Sequence, residues 1–168
     1  KLEAVDGSPF STGQSGPFGG GGFGCSIATA GGGSWLLALN AASETVSGFD
    51  VAPDGSLSEL PASPVGSDLR EPIAASTAGF LYAQRLASGQ ELVTFRVSAG
   101  GIEEVGSLPL PGPAGPTMFV LDAAGSRLFV LFRNGVGLES IRSYAIDGAG
   151  LPIEVGESFV AGDLTAIG

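Results

Sequence analysis

The sequence has no histidine and only one cysteine, Cys25. A single cysteine excludes an intrachain disulfide, and the usual zinc sites need several cysteine or histidine ligands. Hydrolytic triads commonly use histidine to take the proton from the nucleophile, so the serines and Cys25 have no such base in this chain. We therefore predict no metal and no cofactor, and we interpret Cys25 as a small residue of an inner strand.

Positive charge is also scarce. Seven Lys and Arg residues stand against seventeen Asp and Glu residues, which gives a net charge of −10 at pH 7. Such a surface repels phosphate groups, so we expect neither nucleic acid nor a membrane surface as a partner. The acidic residues are scattered along the chain, which is typical of a solvated surface.

Long apolar runs and helical patterns are missing as well. The longest unbroken apolar runs, such as Trp35 to Leu39 and Leu128 to Phe132, have five residues. A segment that crosses a bilayer needs about 18 or more. No window of ten or more residues places its apolar residues at a convincing helical period of about 3.6. The chain is therefore predicted to be soluble and all-β.

What the sequence does contain is an internal repeat. The segment from Ser34 to Leu60 holds an apolar strand, a polar turn, an alternating strand, an Asp-Gly turn and a short strand, and this order recurs at Gly79 to Val105 and Ser126 to Val155. Three columns of equivalent residues fix the register, with a period of roughly 45 to 49 residues. The columns are Leu36, Leu81 and Leu128; Phe49, Phe95 and Tyr144; and Leu57, Ile102 and Leu151.

One further strand precedes each repeat unit, at Cys25 to Ala30, Pro72 to Ser76 and Thr117 to Leu121. Four strands in a period of this length are typical of a β-propeller blade. The strands of the apolar runs have two apolar faces, as expected for strands sandwiched between neighbouring sheets. We predict an all-β propeller segment of about three four-stranded blades.

The predicted blades occupy residues 25–66, 67–113 and 114–163. Residues 1–24 are interpreted as the end of a preceding blade and a glycine-rich connection, and residues 164–168 as the start of the next blade. Propellers close with about four to eight blades. We therefore expect either the remaining blades of the same ring or self-association to complete the structure.

Two segments are similar to known binding sites in composition only. Gly13 to Gly24 is rich in glycine, but a phosphate loop needs a helix behind it, and here a strand is predicted to follow. Asp50 and Asp54 flank an Asp-Gly hairpin signal without the spacing of a calcium-binding loop. We interpret both segments as connections between strands.

The repeat resembles that of the lactonase-type seven-bladed β-propellers, the 6-phosphogluconolactonase-like proteins and their surface-layer YVTN-type relatives. The residues that carry the resemblance are Glu44 to Val51 (ETVSGFDV) and Asp54 to Leu57 (DGSL), with Gly115 to Val130 similar to the family's inner strand pair. The resemblance implies a seven-bladed ring. Enzymes of this family tend to place histidine near the start of inner strands, where this chain has Ser26, Pro72 and Met118.

Topology selects the candidate binding residues. In a blade the first strand begins at the edge where the second strand ends, and the loops at that edge surround the central channel. Arginine pairs well with carboxylates and phosphates, so arginines at this edge suggest an anionic ligand, while loop arginines can equally be solvated or paired with nearby acids. The candidates, two just before an inner strand and the others at or just beyond second strands, are Asn40, Arg70, Glu71, Arg85, Arg133 and Asn134.

Three functions are compatible with the sequence. The first is a scaffold or interaction module, without a catalytic site in this chain, that binds a protein or small ligand. The second, implied by the resemblance, is part of a sugar-lactone hydrolase whose chemical groups lie largely in other blades. The third is a propeller that binds a small anionic ligand without turnover. A lone cysteine and a low pI favour an extracytoplasmic location, with a cytoplasmic one left open.

Overall fold

The computed structural model of the chain describes residues 27–86, 89–111, 115–133, 139–155 and 159–161. Regular structure in these residues is almost entirely β-strand, in three antiparallel sheets. Blade 1 consists of β1 (Ile27–Ala30), β2 (Trp35–Asn40), β3 (Thr45–Val51) and β4 (Leu57–Glu59), with a one-turn 3-10 helix at Gly31–Gly33. Blade 2 consists of β5 (Leu69–Ala75), β6 (Phe80–Arg85), β7 (Glu91–Ser98) and β8 (Gly101–Pro109). Blade 3 consists of β9 (Pro116–Leu121), β10 (Arg127–Arg133), β11 (Glu139–Ile146), β12 (Pro152–Glu154) and β13 (Phe159–Ala161).

In blades 1 and 2 every strand pairs with the next along the chain, and blade 3 follows the same order except that β13 pairs with β11 instead of β12. The register confirms two columns of the repeat, because their residues face one another in every blade as Leu36 and Phe49, Leu81 and Phe95, and Leu128 and Tyr144. The repeat is therefore structural, and the prediction of an all-β propeller segment with four-stranded blades is confirmed.

The fourth strand is irregular in every blade. In blade 2 it is continuous, but its register against β7 shifts between Thr94 and Phe95. In blade 3 two short strands, β12 and β13, pair with opposite ends of β11. In blade 1 only β4 and a single bridge from Val65 to Val46 remain. A bulge at the outer edge bends the sheet and limits edge-to-edge pairing with other chains.

An apolar core lies between each pair of neighbouring blades. The first contains Leu37 and Leu39 of blade 1 together with Leu81 and Phe95 of blade 2. The second contains Tyr82 of blade 2 among side chains of blade 3. Leu81 and Tyr82 are adjacent in β6, face opposite sides of the sheet and are both fully buried. This burial on both faces explains why the second strands are apolar almost without interruption.

One prediction about the inner strands is wrong. The sequence pattern places Arg70 and Glu71 just before the first strand of blade 2, but they lie inside β5, which starts at Leu69. Pro72 has no N–H to donate, and the pairing with β6 breaks between Arg70 and Ile73. On the N-terminal side of this break, β5 still pairs with β6, Leu69 with Arg85 and Arg70 with Gln84.

Several predictions concern residues outside those that the structure describes. They are Cys25, the glycine-rich segment Gly13–Gly24, the candidate Asn134, and the terminal segments 1–24 and 164–168. Among the described residues, no helix has the length and apolar character needed to cross a membrane.

Candidate functional site

The ends of the second strands and the beginnings of the first and third strands lie along one edge of the sheets, here called the rim. The register places Asn40 opposite Thr45, Arg85 opposite both Leu69 and Glu91, and Arg133 opposite Glu139. The rim residues used below are Asn40, Glu44, Arg70, Glu71, Arg85, Glu91 and Arg133. The five described candidates therefore share this edge, with Arg70 and Glu71 inside β5.

Arg70 links blade 2 to blade 1. Its guanidinium forms an ion pair with the carboxylate of Glu44, in the turn between β2 and β3. The backbone of the same turn accepts a hydrogen bond from the Leu69 N–H at 2.9 Å. The two side chains are 39% and 30% exposed, so the pair is partly shielded from water. Arg70 therefore fastens one blade to the next.

Arg85 is held by two carboxylates within its own blade. Its Nη1 donates to Oε1 of Glu104 at 3.1 Å, and its Nη2 donates to the other oxygen of the same carboxylate. A second carboxylate, that of Glu91, lies 3.5 Å from Nη1. The hydrogen bond to Glu104 raises the pKa of the Arg85 guanidinium, against the opposing effect of partial burial. The contacts of the Arg85 side chain join β6 to β7 and β8, and this side chain is only 17% exposed.

Asn40 is buried rather than open to a channel. Its Nδ2 donates to Ser47 Oγ at 2.8 Å and to Thr45 Oγ1 at 3.2 Å. These bonds satisfy an amide that burial would otherwise leave without partners. Glu71 and Arg133, in contrast, are exposed to solvent. The candidates thus share one edge, and the side chains of Asn40, Arg70 and Arg85 are each bound to partners within the protein.

Sequence reasoning missed the carboxylates that bind these arginines. Glu91 could have been found, because it is the cross-strand partner of Arg85 in a short hairpin. Glu104 could not have been found, since the irregular pairing of β7 with β8 decides which residue of β8 reaches Arg85. Glu44 could not either, because it belongs to the neighbouring blade.

A shallow depression of about 260 Å³ lies at the opposite edge, between blade 1 and the turn that joins β7 to β8. Its lining consists of Asp50, Ser58, Glu59, Leu60, Pro61 and Ala99. Both of its carboxylates are exposed to solvent. Within the part of the chain that the structure describes, no group of three His, Cys, Asp or Glu side chains is placed to hold a metal ion.

Comparison with known proteins agrees with this architecture. No family model and no curated protein sequence matches the chain. Among solved structures, a candidate 6-phosphogluconolactonase from Bacteroides fragilis superposes with a TM-score of 0.60 at 20% identity, over 80% of this chain and 38% of that one. Another from Bacteroides uniformis gives a TM-score of 0.58 at 18% identity, over 79% of this chain and 40% of that one. The periplasmic gluconolactonase of Pseudomonas aeruginosa gives 0.56 at 20% identity, over 79% of this chain and 39% of that one.

The chain is therefore a β-propeller segment of three consecutive blades. Its fold is that of the lactonase-type propellers, which confirms the resemblance found in the repeat. It spans only 38% to 40% of the length of these solved propellers.

Proposed function

We propose that this chain is a structural segment of a larger propeller ring, and that it acts as a scaffold and interaction module rather than as a catalytic unit. The observation that supports this role is the pairing of Arg70 and Arg85 with carboxylates. These contacts use the arginine charges to fasten blade 1 to blade 2 and to hold the strands of blade 2 together. A guanidinium committed in this way must lose its partners before it can bind an anionic ligand.

The test is a ligand titration that follows the melting temperature of the chain. The anionic probe is 6-phosphogluconate, and glucono-lactone serves as the uncharged one. A ligand present at 100 times its Kd stabilises the folded state by about 2.7 kcal/mol. We expect neither probe to raise the melting temperature, because the rim arginines already have partners.

Two variants make the titration specific. Arg85→Gln removes the guanidinium that is paired with two carboxylates at the rim, and Arg127→Gln removes one exposed arginine at the opposite edge. If the chain is a scaffold, we expect Arg85→Gln to lower the melting temperature with or without the probe, and Arg127→Gln to have little effect. A stabilisation by 6-phosphogluconate that persists in Arg127→Gln and disappears in Arg85→Gln would instead establish an anion site at the rim and contradict the proposal.

The second candidate function is that this chain forms part of a sugar-lactone hydrolase. It is favoured by the solved structures with this fold, one of which is a gluconolactonase. In that case the acid–base groups would come from other blades of the ring, and a rim arginine such as Arg133 would hold the substrate. Lactone hydrolysis by the polypeptide as its source produces it, lost in Arg133→Gln, would favour this candidate over the scaffold.

We also propose an extracytoplasmic location. The similarity of fold to a periplasmic protein supports it, together with a single cysteine among 168 residues. Fractionation of the source cells, with detection of the native polypeptide in each compartment, tests this proposal. Recovery in the cytoplasm alone would contradict it.

A further inference from the structure

Among the described residues, two aspartates are followed by glycine, and both pairs lie in exposed hairpin turns. Asp54–Gly55 is in the turn between β3 and β4, and Asp147–Gly148 is in the turn between β11 and β12. In each turn the carboxylate accepts a hydrogen bond from the backbone N–H two positions later, that of Ser56 at 3.0 Å and that of Ala149 at 2.8 Å. The two pairs therefore share their chemistry, their exposure and one side-chain contact.

An aspartate followed by glycine can rearrange without an enzyme. The glycine nitrogen attacks the carboxyl carbon of the aspartate, a C–N bond forms, and the amide proton leaves with the carboxyl hydroxyl as one molecule of water. The five-membered succinimide then takes up one water, and cleavage of its bond to the main-chain carbonyl leaves the chain running through the side chain, as isoaspartate. Glycine favours the first step because it has no Cβ to hinder its nitrogen. The reaction needs no reagent other than water.

The two turns differ at the reacting groups. The Gly55 N–H donates to the carbonyl oxygen of Ala52 at 2.8 Å, and this bond must break before the nitrogen can attack. The backbone N–H and hydroxyl of Ser56 both donate to Asp54, and these bonds lower the pKa of Asp54 below its ordinary 3.8. An ionised carboxylate is a poor target for a nucleophile. The turn at Asp54 therefore opposes the rearrangement at both the nitrogen and the carboxyl group.

The turn at Asp147 leaves the attacking nitrogen available. Oδ1 of Asp147 accepts hydrogen bonds from the N–H groups of Ala149 and Leu151, both at 2.8 Å, which hold the carboxyl group over the turn. The Gly148 N–H, between them, has no acceptor among the described residues. The hydrogen bonds of this turn thus restrain the carboxyl group without engaging the nitrogen that would attack it.

The turn at Asp147 is also part of the contact between blades 2 and 3. Its residue Gly150 is buried, and the Gly150 carbonyl accepts the hydroxyl of Tyr82 at 3.0 Å. A Cβ on Gly150 would lie 2.3 Å from Cδ1 of Phe80, so the ring packs directly against the turn. The Gly150 N–H closes the turn on the Asp147 carbonyl at 3.0 Å. Isoaspartate would add one carbon to the main chain inside this closed turn and displace Gly150 from both side chains.

We propose that Asp147–Gly148 is a site of spontaneous isoaspartate formation in the folded chain, and that the modification loosens the contact between blades 2 and 3. The modified residue would be a substrate for a methyltransferase that recognises isoaspartyl carboxylates. Asp54–Gly55 is protected by its own turn. The proposal concerns the chemistry of the chain itself and does not depend on the scaffold function.

The test follows isoaspartate in the folded chain during incubation for several weeks at neutral pH and physiological temperature. Protein isoaspartate methyltransferase with labelled S-adenosylmethionine measures the total, and electron-transfer fragmentation of tryptic peptides assigns it to residues. The matched variant is Gly148→Ala, because a Cβ at this position meets no atom within 4 Å and the turn can be kept while the nitrogen is hindered. The same incubation in urea, where the contacts of both turns are lost, is the second control.

In the folded chain we expect Asp147 to convert at least about fivefold faster than Asp54, the factor that corresponds to about 1 kcal/mol for one hydrogen bond on the attacking amide. In urea the two positions should convert at similar rates. Gly148→Ala should suppress conversion at Asp147 and leave Asp54 unchanged. The melting temperature of the parent should fall as the converted fraction grows, and that of Gly148→Ala should not.

Three outcomes would overturn the proposal. The first is a folded chain in which Asp147 does not convert or converts no faster than Asp54. The second is an equal preference for Asp147 in urea, because the local sequence and not the turn would then select the site. The third is a converted chain that keeps the melting temperature of the fresh one, which would show that the contact between blades 2 and 3 does not depend on this turn.

Discussion

The interface between blades 2 and 3 contains two buried tyrosines that differ in one respect. Tyr82 is fully buried, and its hydroxyl donates to the carbonyl oxygen of Gly150 at 3.0 Å. Tyr144 is only 1% exposed, and its hydroxyl has no hydrogen-bond partner among the described residues. The substitutions Tyr82→Phe and Tyr144→Phe remove the same atom from the same interface. Their difference therefore isolates one hydrogen bond between blades.

The structure gives the size and sign of the two effects. Tyr82→Phe removes a buried hydrogen bond and leaves the Gly150 carbonyl without this partner, which costs about 1 to 2 kcal/mol of unfolding free energy. Tyr144→Phe removes a hydroxyl whose burial is not compensated, so it should leave stability unchanged or raise it by about 1 kcal/mol. Neither substitution opens a cavity, because the ring stays in place.

Alkaline pH supplies a second readout. Burial, with a smaller contribution from Asp147, raises the pKa of Tyr82 above its ordinary value of 10.0. The stability that belongs to this shift is present below pH 10 and is lost as pH rises further, because the unfolded chain ionises first. The loss amounts to about 1.4 kcal/mol for each pH unit and each such tyrosine. Since phenylalanine does not ionise, the deficit of Tyr82→Phe should shrink above pH 10.

The assay is urea unfolding followed by the fluorescence of the single tryptophan, Trp35, at pH 8 and at pH 11. We expect Tyr82→Phe to unfold at lower urea than the parent at pH 8 and to approach it at pH 11. Tyr144→Phe should unfold at or above the parent concentration at pH 8. Equal destabilisation by the two variants at pH 8 would refute the reasoning, since it would mean that the hydrogen bond to Gly150 makes no difference.

Two further predictions concern turns. A Cβ on Gly101, where φ is +123°, would lie 2.5 Å from the carbonyl oxygen of Pro61, so Gly101→Ala should cost more than about 2 kcal/mol in thermal unfolding. Gly100→Ala, with no close backbone contact, should cost less than about 1 kcal/mol, and similar losses would contradict the assigned strain. Hydrogen bonds from Ser126, more than any other contact, lower the pKa of Asp122 below its ordinary 3.8. Asp122→Asn should therefore lower the melting temperature at pH 7, and the difference should vanish as pH falls through that lowered pKa; a difference that persists in acid would show that the carboxylate charge is not responsible.

The blades are predictable from the sequence because their signals are local. Strand alternation and Asp-Gly turns act over a few residues, and their repetition along the chain is enough to align the columns of Leu36 and Phe49. The structure places the described members of these columns opposite one another in each blade. The start of β5 is predicted wrongly because Pro72 interrupts the strand without ending it.

The candidate site is less predictable. That Asn40 and the arginines share one edge follows from strand order alone, and the structure agrees for the described residues. Their partners do not follow, because Arg85 reaches Glu104 across 19 residues and Arg70 reaches Glu44 across 26. Which carboxylate meets which arginine depends on a bulge and on the packing of one blade against another.

The all-β class, the period and the strands that face each other can thus be predicted from the amino-acid pattern, since hairpin pairing joins neighbours along the chain. Which face of each sheet is covered depends instead on how the blades pack against one another. Tyr82 is buried through contact with a blade that begins more than thirty residues later, and its hydroxyl donates to the carbonyl oxygen of Gly150, 68 residues along the chain. Phe129 occupies the position of blade 3 that Tyr82 occupies in blade 2, one residue after the first repeat column, and it is only half-buried. The two positions have similar local sequence patterns, and the difference arises because burial is set by the neighbouring sheet.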